Sequence, residues 1–209
     1  MAAPTPFGGY QFELSGGALC LDFANTGPDQ KAPETREEHL KSYTDLLSWA
    51  VQSGELTIQD ARRLMAAANH SQIKASAALR KARELRQAIF DVFRAIAGQH
   101  APATGDLDVL NKYWRSASIH RSVAHADGNF RRVWVMDEND ELDRPLWGVV
   151  ASAEELLTSG EVGLVRECDA DTCSWLFLDH SRNRSRRWCD MKTCGNRAKA
   201  KRHYERAKS

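Results

Sequence analysis

Four cysteines close to the end of this chain, Cys168, Cys173, Cys189 and Cys194, stand at the spacing C-x4-C-x15-C-x4-C. Two short clips separated by a dozen or two residues let two loops converge on one ion, and Zn2+ in structural sites takes four cysteine sulfurs in a tetrahedron. Two disulfides are the competing reading, and the redox compartment decides between them. Met-Ala-Ala-Pro at the N-terminus lacks a basic n-region, and Glu13 and Asp22 interrupt the first apolar run, so no signal peptide is expected. No segment approaches the eighteen or so apolar residues of a membrane span. The expected location is the cytoplasm, where thiols stay reduced and zinc is favoured. A thiol oxidoreductase would show C-x2-C, which this spacing is not.

Charge separates along the chain in the same place. From Arg182 to Ser209 there are eleven Lys and Arg against Asp190 and Glu205, a surplus of +9, whereas residues 1–181 hold 18 basic and 26 acidic side chains, or −8. An acidic body with a basic tail is the asymmetry of a nucleic-acid-binding appendage. Charged residues at 27% and hydrophobic residues at 42% describe a folded body, and 209 residues suffice for one core plus a small module.

Helical periodicity dominates that body. Thr35 with Glu38 forms a capping-box pattern ahead of Leu40, Tyr43, Leu47, Ala50 and Val51, and Gly54 ends the run. Thr57 and Asp60 start a second helix through Ile58, Ala61, Leu64 and Ala68. The stripe Leu79, Ala82, Leu85, Ile89, Val92, Phe93, Ile96 predicts a long central helix. Thr104 can cap a fourth helix with Leu107, Leu110, Trp114 and Ala117 facing inward. Asp127-Gly128 suits a tight hairpin turn, with Arg131–Met136 the clearer strand. Pro145 opens a fifth helix that Gly160 can terminate. Residues 10–23 alternate as a small hairpin or as a strand leading into a helix, and Leu19–Thr26 also fits a buried helical turn.

In the cysteine segment, Trp175, Phe177 and Asp179 alternate out of the first clip, which predicts a knuckle between two short strands. Gly195–Lys208 should be a helix whose first turn is pinned to the metal by Cys194, with Ala200, Tyr204 and Ala207 as a narrow stripe lying on the finger. Candidate nucleic-acid contacts are Arg182, Arg184, Arg186 and Arg187 in the turn, with Lys192, Asn196, Arg197, Lys199, Lys201 and Arg202 on or beside the helix. Duplex DNA is the expected partner. RNA stays open, since Trp175, Phe177 and Trp188 suit either base stacking or the finger's own core.

The words Trp175-Leu176-Phe177-Leu178-Asp179, Ser181-Arg182-Asn183, Arg187-Trp188-Cys189 and Cys194-Gly195-Asn196-Arg197, in that order, resemble the CGNR zinc-finger family over roughly residues 165–205. Members usually carry an N-terminal ABATE domain, and Leu19–Thr26 with the Leu85-Arg86 helix resembles its motifs. The resemblance implies a bacterial, stress-related transcription regulator with a ligand-sensing N-terminal domain and a DNA-binding finger. The fold expected is mainly α (α+β), a helical domain over 1–162 with a small β element, followed by a treble-clef-like four-cysteine finger over 163–209. The chain departs from the family at Ser174, His180 and Arg184, where Gly, Thr and Gly are expected, which bears on the turn geometry.

Two readings stand for Asp22, Asn25 and Arg86. The first two either cap and form turns, or all three line a pocket for a small effector, where a buried Arg facing a carboxylate would be physically sensible. Cys20 reads as a small buried hydrophobe. Residues 1–160 contain no G-x-S-x-G, no phosphate-cradling glycine loop and no metal or nucleophile constellation, so no enzyme is expected. The alternative is an enzyme of unknown substrate localised by its finger, or a finger that binds RNA or protein. A homodimer would match a palindromic site, although no heptad pattern signals one.

Overall fold

In the computed structural model the described residues are 7–32, 37–135 and 142–208. Among them the helices are α1 (Leu19–Ala24), α2 (Tyr43–Gln52), α3 (Ile58–His70), α4 (Gln72–Ala97), α5 (Thr104–Ser118), α6 (Trp147–Thr158) and α7 (Asn196–Lys208). Two antiparallel pairs complete the set, β1 (Arg121–Ala126) with β2 (Asn129–Trp134) and β3 (Val165–Glu167) with β4 (Leu176–Leu178). The architecture is mainly α with a small β component.

α4 is the 26-residue axis of the body, and Ala82, Leu85, Ile89, Val92 and Phe93 of its stripe are fully buried. α1, α2, α3 and α5 pack around it, and α6 closes over α1 and α5. The short α1 is almost wholly internal: Cys20, Leu21 and Phe23 are fully buried, and Phe23 meets Trp49 of α2 at 4.7 Å between ring centroids. Residues 10–15 form no strand, so of the readings open for residues 10–23 the helical turn is the one adopted.

Two helix starts differ from expectation. α2 is capped by Ser42, whose Oγ accepts the Asp45 N–H while the Asp45 carboxylate accepts the Ser42 N–H. Thr35 lies outside the described residues, and Leu40 is buried in the loop before the helix. Thr104 is the first residue of α5 rather than its cap, and Ala103 at the cap position offers no side-chain bond. The β1–β2 turn follows expectation, with positive φ at both Asp127 (53°) and Gly128 (75°). β2 begins two residues earlier than predicted, and Met136 lies outside the described residues. Pro145 sits in a 3-10 turn that runs into α6 at Trp147, and α6 ends at Thr158, before Gly160.

β3 and β4 lie against α4 and α1, and they carry the cysteine segment with them. Strand alternation puts Leu176 and Leu178 into the body core, while Phe177 between them packs on the cysteines.

Candidate metal centre and nucleic-acid interface

The antiparallel β3–β4 pair fixes the first clip, with Cys168 directly following β3 and Cys173 three positions before Leu176, the first residue of β4. The Cys168 N–H donates to the Trp175 carbonyl at 2.8 Å, which closes the knuckle between the strands. The second clip is set by a wide turn of π-helical pitch over Met191–Gly195, in which the Gly195 N–H reaches back five residues to the Asp190 carbonyl at 3.0 Å. Asp190 caps that turn, its carboxylate accepting from the Thr193 N–H and hydroxyl at 2.8 and 2.7 Å.

These two supports bring the four sulfurs within 4.8 Å of one another, all on buried residues. Cys173 Sγ and Cys194 Sγ each lie 3.7 Å from Cys189 Sγ. A regular tetrahedron of sulfurs with zinc bonds of about 2.3 Å has edges of about 3.8 Å, so the cage has the size of a zinc ion. Burial raises the Cys194 thiol, and so does the charge of Cys168 beside it; a central cation would offset the mutual repulsion of four thiolates this close. The Cys189 N–H approaches Cys168 Sγ at 3.5 Å and the Arg197 guanidinium approaches Cys194 Sγ at 3.8 Å, the outer-shell donors typical of a thiolate site. All five cysteines are free of disulfides. Cys20 stands apart from the cage, and burial pushes its thiol up to about 12, so it is an inert apolar residue.

The predicted cationic residues fall into two sets. Arg186 serves the finger itself: its guanidinium lies 4.5 Å from the Phe177 ring centroid and donates to the Trp188 and Cys189 carbonyls. Arg187 pairs with Asp169 at 2.7 Å, Lys201 pairs with Asp171, and Arg197 reaches Thr172 Oγ1 at 3.4 Å. Arg182, Arg184, Lys192, Asn196, Lys199 and Arg202 are exposed, and the five cations of this set enter no salt bridge among the described residues. The stripe expected to lie on the finger does not do so. Ala200 and Tyr204 are exposed, Tyr204 at 61%, and the side chain of Ala207 is outside the described set. α7 instead projects from the cage, tethered near its start by Arg197 and Lys201.

The loop carrying Arg182 and Arg184 is organised by Asp179, a residue the sequence reading assigned no role. Burial opposes its ionisation, but N–H groups of Ser181 and Arg186, each at 2.9 Å, hold its carboxyl below the usual range. Arg184 takes φ = 48° in this loop, the left-handed region, which accounts for the glycine expected there. Ser174, also in place of an expected Gly, is buried and bonds the body: its N–H and hydroxyl donate to Asp29 at 3.0 and 3.1 Å, and its Oγ accepts the Gln30 N–H at 2.9 Å. His180 is exposed and lies 3.9 Å from Glu161.

Asp22, Asn25 and Arg86 do not converge on one pocket. Asp22 accepts the Gly16 N–H at 2.7 Å, and burial pushes its carboxyl up to about 6. Asn25 forms a two-way bond with the finger, donating to the Leu176 carbonyl at 2.9 Å and accepting the Leu176 N–H at 2.8 Å. Arg86 is clasped bidentately by Glu38 at 2.7 and 2.6 Å. Only Asn25 and Arg86 share a crevice, of about 10 Å3, too small for a metabolite. Asp29 and Lys31, which bond the finger at Ser174 and at the Cys168 carbonyl, and Glu38, which holds Arg86 within the body, carry no signal in the sequence. Each partner lies between 48 and 145 positions away, and only the excess of buried charge at Arg86 hinted that a carboxylate was needed.

A helical body holding a tetrathiolate cage, from which a cationic helix projects, defines a four-cysteine zinc-finger protein. Comparison with family models gives the lineage. Residues 17–160 match the ABATE model, whose description reads "Putative stress-induced transcription regulator", and residues 165–207 match the CGNR zinc finger. The chain belongs to the ABATE family and carries a CGNR zinc finger, and its metal is zinc. No curated protein matches it. Among the described residues no helix is long and apolar enough to cross a membrane.

Proposed function

We propose that this protein is a cytoplasmic regulator that binds duplex DNA through its finger, performs no chemistry of its own, and responds to a small effector through the helical body. The observation that carries this reading is α7: thirteen residues, about 20 Å long, standing off the zinc cage with Lys199 and Arg202 exposed and in no salt bridge among the described residues. A major groove admits a helix of that girth, and the exposed Arg182 and Arg184 of the loop that Asp179 organises would meet backbone phosphates. Release of counterions makes such binding fall steeply with salt.

The test is fluorescence anisotropy on duplexes selected from a random pool, titrated with salt. Lys199→Ala should weaken binding across sequences and lower the salt slope by about 1. Arg186→Ala should instead act through stability, because it removes a stacked guanidinium that satisfies two carbonyls. Cys194→Ser and zinc removal should abolish binding. Retained affinity without zinc, or preference for RNA at matched salt, would overturn the reading.

A further inference from the structure

Away from the finger, the β1–β2 hairpin and the body enclose a cleft of about 290 Å3 whose walls include Leu19, Glu55, Arg121, Trp134 and Ser152. Two charged groups there have bonding capacity to spare. The Glu55 side chain is only 9% exposed. Its Oε1 accepts from the Arg144 guanidinium and from the Gly148 N–H at 3.2 Å, while Oε2 receives no hydrogen bond among the described residues. The position is built for this carboxylate, since a Cβ at Gly148 would lie 1.9 Å from Oε2. Arg121 is half-buried, with its guanidinium 5.4 Å from the Trp134 ring and 5.6 Å from the Trp114 ring, and it makes no salt bridge among the described residues. Arg132 at the mouth pairs only loosely with Glu155, at 3.7 Å between exposed side chains.

A guanidinium laid on aromatic rings and with no carboxylate partner among the described residues can receive one, and the bond gains strength away from water. Glu55 Oε2, on a nearly buried side chain and with no donor among the described residues, can accept an N–H or O–H from whatever fills the cleft. Between them Leu19, Val133 and Ala151 supply apolar wall. The volume lies at the small end of ligand sites, which excludes nucleotides and large cofactors.

We propose that this cleft binds a small zwitterion of the amino-acid class with an apolar side chain, its carboxylate on Arg121 and its ammonium on Glu55 Oε2. That occupancy would govern the finger rests on the regulator reading above; the binding itself does not. The experiment uses the zinc-loaded full chain without nucleic acid, so that its outcome is independent of DNA affinity. Each of the twenty standard L-amino acids is titrated at up to millimolar concentration, reading thermal midpoint and tryptophan emission, to which Trp134 contributes. An apolar member should raise the midpoint and shift the emission. Its α-N-acetyl and α-carboxamide derivatives, each lacking one charge, should bind at least about tenfold more weakly, as should the Arg121→Gln variant with the parent ligand. Unchanged far-UV circular dichroism and zinc content certify the variant's fold. No binding by any amino acid, equal affinity for either derivative, or unchanged affinity in a folded Arg121→Gln protein would each overturn the proposal.

Discussion

Replacing Asn25 by Ala should loosen the body and the finger together. Asn25 is 5% exposed, and its amide bonds both polar groups of the Leu176 backbone, the sole side chain to do so among the described residues. Removing it strands a buried N–H and a buried C=O, each at about 1–3 kcal/mol, so the expected loss is about 2–6 kcal/mol. With a urea m-value of about 2 kcal/mol/M, the unfolding midpoint falls by about 1–3 M. The assay is equilibrium urea unfolding of the zinc-loaded protein, following tryptophan emission for the body and a colorimetric chelator for zinc release. Both transitions should move, because Leu176 is three residues from Cys173 and packs in the body core. Asn25→Asp should cost at least as much: it keeps an acceptor for the Leu176 N–H but sets a carboxylate oxygen against the Leu176 carbonyl. A loss below about 1 kcal/mol, or zinc release unmoved while the body shifts, would refute the assignment of Asn25 as the clasp.

Two further substitutions follow from single residues. Burial holds the Asp22 carboxyl at about 6 against an ordinary 3.8, so the folded state keeps a proton that the unfolded chain has released. The stability due to that proton, about 3 kcal/mol, is complete below about pH 4 and is lost as pH rises through 6. Asp22→Asn keeps the acceptor for the Gly16 N–H, so urea melts across pH 4–7 should show the slope largely gone and stability at pH 7 raised. Arg184→Gly relieves a left-handed residue and should raise finger stability by about 0.5–1 kcal/mol, measured by resistance of zinc to chelation; a decrease would refute the strain argument.

What the sequence displayed were patterns written within a few residues. The α4 stripe, the Asp127-Gly128 turn and the paired cysteine clips each need only local spacing to be recognised, and each forms as expected. The misread starts show the limit of the same method. Thr35-x-x-Glu38 and Ser42-x-x-Asp45 are equivalent as capping patterns, yet Glu38 is drawn away by Arg86, which no local rule could announce across 48 residues. Likewise the 151-residue separation of Asn25 and Leu176 hides the seam, so a polar residue in an apolar run reads equally well as a turn or a pocket. The stripe on α7 failed because amphipathic spacing states which residues share a face, not whether any surface lies opposite.

β4 explains why the finger and the body cannot be treated as a module and its linker. About forty residues rarely enclose a core of their own, and here three residues of strand serve two cores, Leu176 and Leu178 on one side and Phe177 on the other. The Leu178 N–H donates to the Gly16 carbonyl, Gly16 in turn donates to Asp22 within α1, and Asn25 at the C-cap of α1 holds Leu176, so α1 is bonded twice, directly and through Gly16, to the strand that backs the cage. Binding of zinc is therefore linked to the order of α1, and by reciprocity whatever disturbs α1 lowers the affinity for zinc. Charge is divided along the same line. Arg187 and Lys201 pair with carboxylates of the finger and Arg186 is turned onto its carbonyls, so the outward potential is carried by fewer cations than the +9 surplus suggests, among them those on the loop that Asp179 holds and on the helix that follows Cys194. The surface available to a polyanion is thus a consequence of the metal cage, and the cage is in turn braced by the body.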